Sequence, residues 1–172
     1  LFLNCDDIPS ISPGRSEVRP RLASRDDVQA LWDNLDCIDC FATDHAPHTP
    51  GEKDSDNPPP GFPGLESALP LYLTAMSQGR LTLDDILARC VINPRHIFHL
   101  PEQPDTFVEI DPAARWTFDA AKSHTRSGWS PFDGFTLTGR IESVTLRGKV
   151  VYKNGEILAE PGSGHNIRSE LK

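Results

Sequence analysis

The stretch Ile38-Asp39-Cys40-Phe41-Ala42-Thr43-Asp44-His45-Ala46-Pro47-His48 holds most of the decision about this chain. Residues 38–43 form a short apolar run, which predicts a strand. The run ends on a carboxylate, and two imidazoles follow in a proline-stiffened turn. In a parallel α/β barrel, residues at the C-terminal ends of strands face the active site. A carboxylate there is suited to ligating a divalent cation and to moving a proton. His48, three residues beyond His45, is suited to holding an anion as an imidazolium or as a neutral N–H donor. Asp and His after a strand are also ordinary turn formers that satisfy backbone N–H groups. The pentapeptide alone therefore supports both readings.

Working outward, Ser24 reads as an N-cap with Asp26 and Asp27 in the first turn, where negative charge suits the helix dipole. Val28, Leu31, Trp32 and Leu35 then recur at helical spacing, predicting a helix over about 25–35. Residues 1–23 are short apolar fragments between breakers such as Ser12-Pro13-Gly14 and Arg19-Pro20. On the other side, residues 45–64 are a loop containing Asn57-Pro58-Pro59-Pro60-Gly61-Phe62-Pro63-Gly64, which cannot form regular helix or a central strand. It reads either as a loop of fixed shape beside a site or as a polyproline ligand for a partner module. Leu65 to Gln78 predicts a helix closed by Gly79, with Pro70 expected to kink it or delay its start. Thr82 caps a further helix with Leu83, Ile86, Leu87 and Val91 as its expected core stripe. Asn93-Pro94 should break it and open a short helix through Phe98.

After His99 the pattern changes to short β-like runs at 108–110, 141–146, 150–152 and 157–158. Asn154-Gly155 is a hairpin signal of type I′. The expected architecture is α/β, the end of an α/β unit over residues 1–100 followed by a small β-rich extension over 101–172.

Composition narrows the function. Of 172 residues, 17 are Lys or Arg and 25 are Asp or Glu, for a net charge of −8. An acidic chain repels phosphate backbones, so nucleic acid is not an expected partner. No run approaches the roughly 18 apolar residues of a spanning helix, so neither is a membrane. No signal peptide is visible, and a chain opening on Leu1 is expected to be a piece of a longer one. Of the four cysteines, Cys37 and Cys40 form a C-x-x-C, which can be half a metal site or a redox pair. No second pair completes such a site, and buried, reduced thiols of a cytoplasmic protein are the expectation. His96, His99, His124 and His165 are expected on or near the surface.

Thr43-Asp44-His45-Ala46-Pro47-His48, Glu52-Lys53 and Pro58-Pro59-Pro60-Gly61-Phe62-Pro63-Gly64-Leu65-Glu66 together resemble the C-terminal half of a dihydroorotase. The likeness is to the kind carried in animal-type trifunctional pyrimidine-synthesis proteins. It extends through Leu1-Phe2-Leu3, Glu17-Val18-Arg19-Pro20, Ile97-Phe98-His99-Leu100-Pro101 and Val144 to Tyr152 with Asn154-Gly155. The closing strand pattern is common across the amidohydrolase superfamily; the proline loop beside the Asp-His-Ala-Pro-His motif is the specific part.

The resemblance implies the C-terminal portion of a metal-dependent (β/α)8 barrel followed by a small β extension. It implies a zinc-dependent enzyme, binuclear when complete, that interconverts N-carbamoyl-L-aspartate and dihydroorotate. Asp44 matches the family's zinc ligand and proton shuttle, and His48 the residue that holds the substrate carboxylate. Arg19 and Pro60 match residues lying against the substrate. The family's His-x-His, carboxylated lysine and further histidines have no counterpart here, and a whole barrel needs about 250 residues. Expected partners are therefore the N-terminal half of the barrel, carbamoyl-phosphate synthetase and aspartate transcarbamoylase domains of the same chain, and a second copy in a homo-oligomer. Alternatives are a silent dihydroorotase-like scaffold domain and a related allantoinase or hydantoinase.

Overall fold

In the computed structural model, which describes residues 1–170, side-chain caps set where three of the helices, α2, α3 and α5, begin. The α-helices are α1 (Ile8–Ile11), α2 (Arg25–Asp33), α3 (Pro50–Lys53), α4 (Leu65–Ser77), α5 (Leu83–Leu87) and α6 (Asn93–Ile97). At α2, Ser24 Oγ accepts the Asp27 N–H at 3.2 Å, and the Asp27 carboxylate accepts the Ser24 N–H at 3.1 Å. Thr49 with Glu52 and Thr82 with Asp85 repeat this reciprocal pairing at α3 and α5. Helix α4 starts at Leu65, so Pro70 does not delay it. Its end follows the glycine signal: Gly79 at φ 73° donates to Met76, and Arg80 donates to Ala75.

Four expectations over residues 1–100 are corrected, the simplest being that the loop expected over 45–64 holds the short helix α3 (Pro50–Lys53), capped by Thr49. Residues 38–44 are extended but form no strand, and Leu35–Cys37 is a turn of 3₁₀ helix. The Phe41 N–H bonds to the Arg89 carbonyl at 3.1 Å, and Asn93 Nδ2 donates to the Asp39 carbonyl at 2.9 Å. A strand needs a neighbouring strand, and among the described residues none lies beside 38–44. Among the described residues, the only β-type pairing before residue 107 is the isolated parallel bridge between His45 and Phe62. Nor does Asn93-Pro94 break the helical run. Residues 88–92 wind as a π-helix that joins α5 to α6 directly. In the expected stripe only Ile86 is buried, whereas Leu83, Leu87 and Val91 are about half exposed.

The extension is a four-stranded antiparallel meander, β1 (Phe107–Thr117), β2 (Thr136–Leu146), β3 (Lys149–Lys153) and β4 (Glu156–Ile157), in that order. Asn154 and Gly155 both take positive φ in the β3–β4 turn, as a type I′ hairpin requires. β1 runs longer than its apolar residues suggest because Pro112 sits at a register break between Asp111 and Arg115. There the Asp111 carboxylate accepts the N–H groups of Ala113 and Ala114 in place of the ladder.

The sheet packs on α4. Thr74 Oγ1 exchanges hydrogen bonds with the backbone of Thr138, and Gly139 lets β2 approach Leu73, where a Cβ would lie 2.6 Å from the Leu73 Cβ. Helix α4 feeds both apolar clusters. Leu71 packs with Leu3, Phe118, Ala120, Phe132 and Leu137, while Tyr72, Leu73 and Ala75 pack with Trp32, Leu81 and Ile86. The cysteines are corrected as well: Cys5, Cys37 and Cys90 are exposed and Cys40 is half-buried, so they are not core thiols.

Candidate active site

Asp44 stands at the end of the extended segment with φ 43°, in the left-handed region that Asp tolerates better than most residues. Its side chain is exposed. His45 takes the other role open to the motif. Its Nδ1 accepts the backbone N–H groups of Gly64 and Leu65, each at 3.1 Å, and so caps the start of α4. Nδ1 as an acceptor leaves any ring proton on Nε2. One imidazole of the pair thus serves the backbone, whereas His48 makes no such cap.

Backbone contacts stitch three separate segments into one face. The Gly61 N–H donates to the Glu17 carbonyl at 3.0 Å, joining the proline loop to the Glu17-Val18-Arg19 segment. The Ala46 N–H donates to the Phe62 carbonyl at 3.0 Å, joining the same loop to the Asp44–His48 turn. Only glycine fits at position 61. Its φ is 145°, and a Cβ there would stand 2.5 Å from the Ala46 carbonyl oxygen. Arg19, Asp44, His48 and Pro60 are thereby carried on three loops that touch one another. The Arg19 and Pro60 side chains are exposed, and the Arg19 guanidinium is 3.9 Å from the Glu17 carboxylate. The Arg19-Pro20 peptide is cis.

Sequence reading missed the residue that organises this face. Lys53 is 0% exposed, and its Nζ donates to the carbonyls of Glu17 at 2.7 Å, Pro59 at 2.8 Å and Gly61 at 3.3 Å. These three acceptors match the three N–H bonds of an ammonium group. Burial pulls its pKa down, against an opposing effect of the Glu17 carboxylate. A lysine just after a capped turn reads as surface charge; its one available signal is the run of prolines that follows, whose carbonyls lack local partners.

The extension contributes too. Trp129, 5% exposed, donates its indole N–H to the His48 carbonyl at 2.7 Å and meets Phe62 edge-on. Glu66, in the first turn of α4, accepts the N–H groups of His124 and Thr125, each at 3.0 Å, and lies 3.0 Å from His124 Nδ1. Burial alone would raise the Glu66 carboxyl, but these donors outweigh it and hold it below its ordinary range.

For a metal, the donor set is short. Among the described residues no three His, Cys, Asp or Glu side chains gather at a common point. Asp44 supplies one carboxylate, whereas catalytic zinc takes three protein ligands, so this chain by itself does not fit a zinc ion. Among the described residues no helix is long and apolar enough to cross a membrane.

No family model matches the chain, but individual proteins do. It is 53% identical over 169 residues to a multifunctional protein CAD of Squalus acanthias, and 36% identical over 151 residues to a dihydroorotase of Pyrococcus furiosus. Those matches take in 98% and 84% of this chain, yet only 8% and 36% of the relatives' lengths. Among solved structures, an L-hydantoinase of Arthrobacter aurescens superposes with a TM-score of 0.87 at 29% identity, over 93% of this chain and 39% of that one. The inactive dihydroorotase-like domain of a Chaetomium thermophilum CAD-like protein superposes at 0.72 and 31% identity, over 95% and 44%.

The fold and these likenesses define the class: the C-terminal portion of an amidohydrolase barrel with its β extension. Within that class the chain is similar over most of its length to dihydroorotases and to the dihydroorotase-like domain of a multifunctional protein, of each of which it spans only a part.

Proposed function

We propose that this chain is the C-terminal part of a zinc-dependent dihydroorotase that closes and opens the ring amide between N-carbamoyl-L-aspartate and dihydroorotate. The reading is carried by the convergence of the Arg19, Asp44–His48 and Pro60 segments through the Gly61–Glu17 and Ala46–Phe62 hydrogen bonds. His48, as an imidazolium or as a neutral N–H donor, binds the substrate carboxylate, Arg19 lies against the substrate through its guanidinium, and Pro60 offers its backbone beside them. Asp44 takes a proton when the amide is attacked and returns it to the leaving nitrogen. In the complete protein Asp44 would be one ligand of the zinc, with the rest supplied by residues outside this chain, and the metal would supply Lewis acidity at the site. Residues 1–100 close the barrel and 101–172 form the extension, of which 171–172 lie outside the described residues. The protein works in the cytoplasm as a homo-oligomer, with carbamoyl-phosphate synthetase and aspartate transcarbamoylase domains in the same polypeptide.

The test is His48→Ala in the complete protein, assayed in both directions. KM for carbamoyl-aspartate should rise about 10-fold or more, the cost of losing a charged hydrogen bond. An unchanged KM would sink the assignment. The inactive Chaetomium domain favours a second reading, a silent scaffold. A complete protein with no turnover and no bound zinc would establish it, and turnover of hydantoins in place of dihydroorotate would point to the hydantoinase relatives.

A further inference from the structure

The residues proposed to meet substrate sit on loops, Arg19 and Pro60 exposed and His48 half-buried, yet the backbones that carry them are gripped by two buried side chains. Lys53 holds Glu17, two residues before Arg19, and holds both neighbours of Pro60 through the carbonyls of Pro59 and Gly61. Trp129 holds the carbonyl of His48 itself. The two grips are joined, with the Lys53 ammonium 5.8 Å from the centroid of the Trp129 ring, within cation–π range. Packing leaves this arrangement little slack. A Cβ at Gly14 would fall 2.0 Å from the Lys53 carbonyl oxygen, and Gly61 is closed against Ala46.

We propose that Lys53 and Trp129 form one positioning hub that sets the spacing of Arg19, His48 and Pro60, and so the fit to the substrate carboxylate. Neither touches substrate. Both act through the backbone of residues that do, and Trp129 makes the β extension a working part of the site. This rests on the substrate-binding roles given above to Arg19, His48 and Pro60. The physical basis is that three loops of different sequence origin have no shared strand to fix their distance. One ammonium with three carbonyl acceptors fixes two of them at once, and the indole N–H ties in the third.

The experiment is steady-state kinetics on the complete protein with Lys53→Met, which keeps the length of the side chain and removes its donors, and Trp129→Phe, which keeps a ring and removes the N–H. His48→Ala serves as the reference. Lys53→Met should raise KM for carbamoyl-aspartate about 10- to 100-fold, the usual penalty of an ångström-scale misplacement. Trp129→Phe should raise it about three- to tenfold, as one hydrogen bond would. Amide exchange at Gly61 should quicken in Lys53→Met. A purely structural role would lower melting temperature and active fraction in both variants while leaving KM unchanged, and that result overturns the hub. Should Lys53→Met fail to fold, Trp129→Phe decides alone: raised KM supports the hub and unchanged KM overturns it. If His48→Ala leaves KM unchanged, the substrate-site reading is what fails. The hub is then upheld only if exchange at Gly61 quickens, and is overturned if it does not.

Discussion

Asp44 combines a strained backbone with an exposed carboxylate, and the two can be separated by substitution. Asparagine tolerates the left-handed region as well as aspartate does, so Asp44→Asn keeps the turn at φ 43° and removes only the charge and the proton site. In the complete protein, kcat should fall about 10²- to 10⁴-fold with an unchanged melting temperature. A variant retaining wild-type kcat would remove Asp44 from the chemistry. His45, adjacent in sequence, shows why motif reading at this scale is double-edged. Both imidazoles have the same chemistry, and only the position of the α4 N-terminus makes one of them a cap.

At the scale of elements, α4 is the beam on which the rest is mounted, and its contact with β2 depends on a missing side chain. Gly139→Ala would drive a Cβ into Leu73 at a residue with φ 91°. The expected loss is about 2–3 kcal/mol, from overpacking and backbone strain together, read from urea unfolding of the complete protein. A midpoint unchanged from wild type would mean the sheet does not lean on the helix there. The start of α4 is tied to the extension by Glu66, whose carboxyl is held below its ordinary range. A depressed carboxyl stabilises the fold above its unfolded-state value, and that contribution disappears as pH falls through the folded-state value. Thermal unfolding of Glu66→Gln should therefore differ from wild type at neutral pH, and the difference should shrink once the carboxyl of the wild type is protonated in acid.

As a whole molecule the chain exposes surface that a finished domain would cover. Leu83, Leu87, Val91, Ile92, Ile97 and Phe98 are all 41–55% exposed along one helical run. The extended segment 38–44 has no strand beside it among the described residues. Exposed apolar faces and unpaired backbone favour association. The 172-residue chain expressed alone should thus sediment as oligomers or aggregates and show no dihydroorotase turnover, while the complete protein should be soluble and active. A monodisperse, catalytically competent 172-residue chain would contradict this. The same incompleteness explains the largest failure of sequence reading: the apolar run at 38–43 has the composition of an inner barrel strand, but hydrogen-bonded neighbours make a strand, and composition cannot supply them.

Local information in the chain was enough for several caps and turns that depend on near neighbours. Ser24 and Thr82 cap helices, Gly79 ends α4, and Asn154-Gly155 turns a hairpin, because each satisfies backbone groups within a few residues of itself. Asp44 and His48 stand out in the sequence because their residue types are uncommon together at the end of an apolar run. Long-range geometry assigned the rest. Lys53 became a buried cation because carbonyls from residues 17, 59 and 61 surround one point, and Trp129 reached His48 across 81 residues. Such contacts leave no periodic trace along the chain: a hydrogen bond needs its partner in space, and folding alone brings that partner there.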